Sequence, residues 1–122
     1  MTAIERLKKR SEFLRVRGGA RFVTPGLILQ ARARKPETEA PEDAGIRFGF
    51  TASKKVGGAV QRNRARRRLK ELVRLHGQAH AAKGFDYVLI ARSGTLQRPF
   101  IELISDLERA FLRVHRPRHE KR

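Results

Sequence analysis

At 122 residues with 39% hydrophobic composition, the chain has material for one compact core and a single domain over 1–122. Its 29 Lys and Arg against 12 Asp and Glu leave a formal net charge of +17, which turns the search for partners toward polyanions. The lack of cysteine excludes a disulfide framework and a thiolate zinc site, and no apolar run reaches the roughly 20 residues that a membrane-spanning helix needs.

The opening MTAIERLKKRSEF has no apolar segment of the signal-peptide kind, so a cytoplasmic protein with no membrane association is expected. Residues 1–10 and 115–122 read as flexible basic tails. Ser11 is a candidate cap for a short helix over 12–17, with Phe13 and Val16 on one side and Gly18 and Gly19 ending it. From Gly26 to Arg34, Leu27, Leu29, Ala31 and Ala33 alternate with Gln30, Arg32 and Arg34, the pattern of a half-buried strand broken only by Ile28. Residues 35–45, KPETEAPEDAG, hold two prolines and four acids and read as a mobile acidic loop. Ile46, Phe48 and Phe50 then alternate with Arg47, Gly49 and Thr51, a second strand expected to pair antiparallel with the first.

SKKVGG, residues 53–58, is a lysine-bearing turn. Its glycines either permit close approach to phosphate or simply connect, and it is not a GxxxxGK[ST] phosphate loop. A helix follows over about 60–76, in which residues 62–74 carry seven Arg or Lys and one acid, Glu71. At about 100° per residue, Ala65, Leu69, Leu72, Val73 and His76 form one stripe, with Asn63, Arg64, Arg67, Lys70 and Arg74 opposite. Four like-charge pairs at four-residue spacing, such as Arg64/Arg68 and Arg66/Lys70, each cost the isolated helix roughly 0.2 to 0.5 kcal/mol, and only Arg67/Glu71 offsets them. A solvated face would mix signs, so the pattern favours a polyanion. FDYVLIA, residues 85–91, reads as an interior strand with Arg92 at its exit. Phe100, Leu103, Ile104, Leu107 and Phe111 repeat at helical spacing behind Pro99. The order α-β-β-α-β-α gives the class α+β, a small sheet packed with helices.

Catalytic chemistry is not evident in the residues. His76/His80 and His115/His119 are one helical turn apart, but Gly77 ends the first helix, Pro117 interrupts the second pair, and only Glu120 is an acid near the second, so no metal site is expected. No carboxylate cluster suits a protein nuclease, and no catalytic residue is assigned. Phe13 and Phe22 lie among Arg10, Arg15, Arg17 and Arg21, where each serves either as core or as a stacking surface for an unpaired base.

SKKVGGAVQRNRARRRLKEL, residues 53–72, resembles the RNR signature of the bacterial ribonuclease P protein subunit. The agreement takes in Lys54, Lys55, Ala59, the Arg62-Asn63-Arg64 triplet, Arg67, Leu69 and Lys70, and extends to Phe13, Arg47-Phe48-Gly49 and the strand ending at Arg92, nearly the whole chain. The resemblance implies a component of an endoribonuclease, a hydrolase whose catalysis resides in a large RNA subunit that removes the 5′ leader of precursor tRNA. Mg²⁺ is then held mainly by that RNA and the substrate, with no organic cofactor. The implied partners are the ribonuclease P RNA and precursor tRNA, with no obligate protein partner. Arg62, Asn63, Arg66, Arg67 and Lys70 match RNA-binding positions of the family helix; the charge pattern adds Arg64, Arg68 and Arg74, and the turn adds Lys54 and Lys55. The family's leader cleft, between that helix and the sheet, is expected to include Phe13, Arg17, Phe22, Arg66 and Lys70. Many relatives carry a second aromatic where this chain has Arg17, and Ala65 stands where a larger aliphatic is common. The resemblance also implies a left-handed crossover around the RNR helix, against the usual hand. The alternative function is a ribosomal or other structural RNA-binding protein with no role in cleavage.

Overall fold

The alternating segments and the apolar run become strands of one mixed five-stranded sheet, seen in a computed structural model that describes residues 4–35 and 45–116. In chain order the elements are β1 (Ile4–Arg6), α1 (Arg10–Arg17), β2 (Ala20–Val23), β3 (Leu27–Ala33), β4 (Ile46–Ala52), α2 (Ala59–His76), β5 (Phe85–Ala91), α3 (Ser93–Gln97) and α4 (Phe100–Val114). The α+β class holds, with three elements beyond the six expected: β1, β2 and α3.

The sheet order is β1-β4-β5-β3-β2. β3 and β4 are not a hairpin, as the alternation suggested. β5 lies between them, antiparallel to β3 with Leu29 opposite Leu89, and parallel to β4 with Phe48 opposite Tyr87. β5 is covered on both faces, Tyr87 and Leu89 by the α2 and α4 side and Val88 and Ile90 by α1, which is why FDYVLIA is a nearly continuous apolar run with only Asp86 charged. The expected flexible tail over 1–10 is corrected from residue 4 onward: Ile4 to Arg6 pair in parallel with Ile46 to Phe48, and Leu7 is buried, while residues 1–3 lie outside the described residues. At the other end His115 and Arg116 follow directly on α4, and the rest of the expected tail, 117–122, lies outside the described residues, as does nearly all of the acidic loop, 36–44.

The period of two divides the sheet into two faces. One carries Leu27, Leu29, Phe48, Tyr87 and Leu89 and is covered by Ala65, Leu69, Leu72 and Val73 of α2 and by Leu103, Leu107, Ala110 and Phe111 of α4. Tyr87 is its centre, with the Phe48 and Phe111 rings each at 5.1 Å. Leu69 and Leu72 are fully buried, each contributing about 1.5 to 3 kcal/mol. The other face is smaller, with α1 laying Val16 and Phe13 against Leu7, Val88 and Ile90.

α1 begins at Arg10, before the expected start, and Ser11 is not its cap. Instead Glu12 reaches back, its Oε1 accepting the backbone N–H groups of Lys8 at 2.9 Å and Lys9 at 3.0 Å. These bonds, with help from Arg47, hold the Glu12 carboxyl below the usual carboxylate range. α3 is a single turn whose buried Thr95 hydroxyl donates to the Gly26 carbonyl at 2.5 Å and accepts from the Arg92 N–H at 2.9 Å. Gly26 has no room for a side chain, since a Cβ there would meet Leu103 at 2.4 Å and Asp106 at 2.5 Å.

Candidate nucleic-acid interface

α2 is built to show cations. Its apolar stripe faces the sheet as the spacing predicts, Ala65, Leu69, Leu72 and Val73 all being buried and His76 half-buried. Its N-terminus has no acid in the first turn, and Gln61 satisfies the Gly58 N–H at 3.0 Å. The positive end of the helix dipole therefore adds to Lys54 and Lys55, both exposed in the preceding turn. Gly57, at φ +145°, has a backbone that other residues rarely adopt, and Arg62 donates to its carbonyl at 3.0 Å, tying the lysine turn to the helix.

The eight α2 residues singled out by sequence divide by what they touch. Asn63, Arg64 and Arg67 are exposed, while Arg66 and Lys70 are half-buried. Arg66 donates to the Asn63 side chain, and among the described residues none of Arg64, Arg66, Arg67 and Lys70 has a carboxylate partner. Glu71, expected to offset Arg67, instead receives Arg74 at 2.6 Å, leaving Arg67 free of it. Arg68 turns inward: its guanidinium donates to the Thr95 and Arg98 carbonyls at 2.6 and 2.7 Å and lies 5.8 Å from the Phe100 ring centre. It clamps α2 to the α3–α4 junction.

Lys70 borders a groove of about 340 Å³ between α2 and the β1 edge, with Arg6, Phe48, Phe50 and Arg74 among its walls. Partial burial, followed by the fields of Arg6, Arg66 and Arg67, holds the Lys70 amine below its ordinary pKa. A phosphate in the groove would offset the fields of the three arginines. Arg6 falls within the expected tail; Ile4 and Leu7, spaced three apart in IERL, are the available sequence signal that this segment is held.

The five residues expected in one leader cleft are not brought together. Phe13 and Arg17 share α1 and border a pocket of about 400 Å³ with Lys8, Arg10, Leu14 and Thr51. Arg66 and Lys70 belong to α2, on the opposite face of the sheet. Phe22 sits on β2 opposite Leu29, so it packs toward α4, away from both groups. The reason is the unread β2: four residues of pairing with β3 fix which face Phe22 takes.

The Phe13 pocket has a rigid base. Phe13 lies over Gly49, where a Cβ would come within 2.5 Å of its ring. Beside it Arg47 donates to Asp86 Oδ1 and Oδ2 at 2.8 and 2.7 Å and to Glu12 Oε2 at 3.0 Å. Arg34 closes the set from the other side, bonding Asp86 and the Gly45 carbonyl. Arg47 is thus not a ligand-binding cation but the tie between the α1 N-terminus and the sheet.

The buried carboxylates Asp86 and Asp106 are both engaged by arginines, and among the described residues no three His, Cys, Asp or Glu gather to hold a metal. His80 lies 3.9 Å from Glu108, and His115 hydrogen-bonds the Tyr87 hydroxyl at 2.7 Å; His119 is outside the described residues. Among the described residues no helix is long and apolar enough to cross a membrane.

Comparison with known proteins covers nearly the whole chain. The family model for ribonuclease P matches residues 1–115. The ribonuclease P protein component of Paramagnetospirillum magneticum is 53% identical over 112 residues, 91% of this chain and 83% of that protein. That of Ruegeria pomeroyi is 48% identical over 118 residues, covering 96% and 91%. In structure the chain is similar to the RNase P protein from Thermotoga maritima, with a TM-score of 0.71 at 24% identity over 92% of this chain and 99% of that one.

Proposed function

Since the chain belongs to the ribonuclease P protein family, a component of an endoribonuclease holoenzyme, we propose that it binds the ribonuclease P RNA and the 5′ leader of precursor tRNA and assists removal of that leader. The observation that carries this reading is the outer face of α2, where Arg64, Arg66, Arg67 and Lys70 stand together without a carboxylate partner among the described residues. Such a face is unfavourable alone and becomes favourable when phosphates replace water and counterions. Binding should accordingly weaken steeply with salt.

Two surfaces on opposite faces of the sheet divide the RNA between them. α2, with Lys54 and Lys55 before it, lies along the structured RNA subunit. The α1 pocket receives the single-stranded leader, Phe13 offering a ring to a base and Arg17 a guanidinium to a phosphate or a second base. Mg²⁺ belongs to the RNA and substrate. Among the described residues the buried carboxylates Asp86 and Asp106 are engaged by arginines, and the protein's contribution is to position and neutralise.

The test is to add the purified protein to precursor tRNA, with and without the cognate ribonuclease P RNA, at low magnesium. Cleavage only when both are present is the expected result. RNA binding without any gain in cleavage would establish the structural RNA-binding alternative instead, and cleavage by the protein alone would overturn the assignment of catalysis to RNA.

A further inference from the structure

The sheet edge farthest from β1 is β2, and α4 ends beside it. There Arg21, Arg113 and Arg116 line a pocket of about 390 Å³, floored by Gly19, Ala20 and Val114. All three arginines are exposed, and among the described residues none has a carboxylate partner. Other α4 charges behave differently: Asp106 receives Arg98 at 2.8 Å and Arg109 at 3.6 Å. The Arg113 guanidinium is held 5.0 Å from the Phe22 ring centre, which orients its donors without consuming them. The C-terminal end of α4 offsets part of the repulsion for Arg113 and Arg116. Arg21 comes from a strand and gains nothing of the kind from its own element.

Three cations bordering one pocket at the sheet edge, Arg113 oriented on an aromatic ring, form a receptor for an anion with several acceptor oxygens. We propose that this pocket is a second RNA site, taking a phosphodiester at the sheet edge remote from β1. It rests on the RNA-binding reading above, and it gives Phe22 a role, because the ring sets the plane of Arg113 and does not stack on a base. The phosphodiester comes either from the ribonuclease P RNA or from the part of a leader that extends past the α1 pocket.

The experiment uses the full chain with Arg21→Ala, Arg113→Ala and Arg116→Ala combined, beside Arg109→Ala as a partnered control on the same helix. Affinity is measured across salt concentrations in two arms: for the ribonuclease P RNA alone, and for precursor tRNAs of increasing leader length by the assembled holoenzyme. Loss of roughly tenfold or more in one arm, with a salt slope shallower by about 2 to 3, is expected. A loss in the first arm identifies the RNA subunit, and a loss confined to long leaders in the second identifies the leader. Thermal unfolding should be unchanged; if the triple variant fails to fold, Arg21→Ala and Arg116→Ala singly should each lower the slope by about 1. Wild-type affinity and slope in both arms, or a loss no greater than that of Arg109→Ala, overturn the site. If the wild type binds and Arg67→Ala weakens it while the pocket variants do not, only this site falls. Failure of the wild type to bind either RNA removes both readings.

Discussion

The outer face of α2 and the Arg34–Asp86–Arg47 set under α1 are both rich in arginine, yet they do opposite things. Under α1 every guanidinium meets a carboxylate or carbonyl, and Asp86 is 2% exposed between its two partners. On the outer face of α2, Arg64, Arg66, Arg67 and Lys70 have no carboxylate partner among the described residues. Composition cannot separate these populations, because an arginine is structural or ligand-binding according to what faces it. The net charge of +17 is therefore an upper view of the binding surface, since part of it is neutralised inside the fold.

The contrast can be broken most severely at Asp86. Asp86→Ala leaves the buried Arg34 and the half-buried Arg47 without their shared carboxylate and should cost about 3 to 5 kcal/mol in urea unfolding. A loss below about 1 kcal/mol would show that this network does not hold α1 in place. Arg64→Ala with Arg67→Ala is the complementary case: stability should stay within about 0.5 kcal/mol, while RNA affinity falls roughly tenfold or more and its salt slope drops by about 2. Unfolding that tracked the affinity loss would place these residues in the structural class.

Smaller effects sharpen the division. Phe13→Ala should weaken precursor tRNA binding about tenfold more than mature tRNA binding, the worth of one base stack. Equal losses would mean that Phe13 only packs on Gly49. Lys70→Met should weaken RNA binding and slightly stabilise the free protein. Its folded pKa is depressed, so the protonated amine disfavours folding at neutral pH, and that cost fades as pH rises through the depressed pKa toward the ordinary 10.5. A pH titration in which the variant's stability advantage persists above that range would assign the gain to packing.

Local patterns were readable in the sequence where one face of an element is apolar. The α2 stripe, the β5 run and the α4 repeat all lie where their spacing puts them. The sheet order was not readable, because insertion of β5 between β3 and β4 is decided by pairing across about 50 residues, not by any local signal. β1 and β2 escaped for a related reason, having three and four residues, too few to display a period. At the interface the charge was legible and its allocation was not. Arg67 and Arg68 are neighbours with the same side chain, and only the carbonyls of Thr95 and Arg98 tell them apart.

The central position of β5 also governs how the molecule is assembled. Among the described strands it alone joins the β1–β4 pair to the β2–β3 pair, and it comes after both in the chain. During synthesis α2 emerges after β4 but before Phe85 to Ala91, so its apolar stripe waits, with its arginines already exposed, for part of the surface it packs on. Short of residue 85 the two strand pairs have no common neighbour, and the last third of the chain supplies the strand that joins them into one sheet.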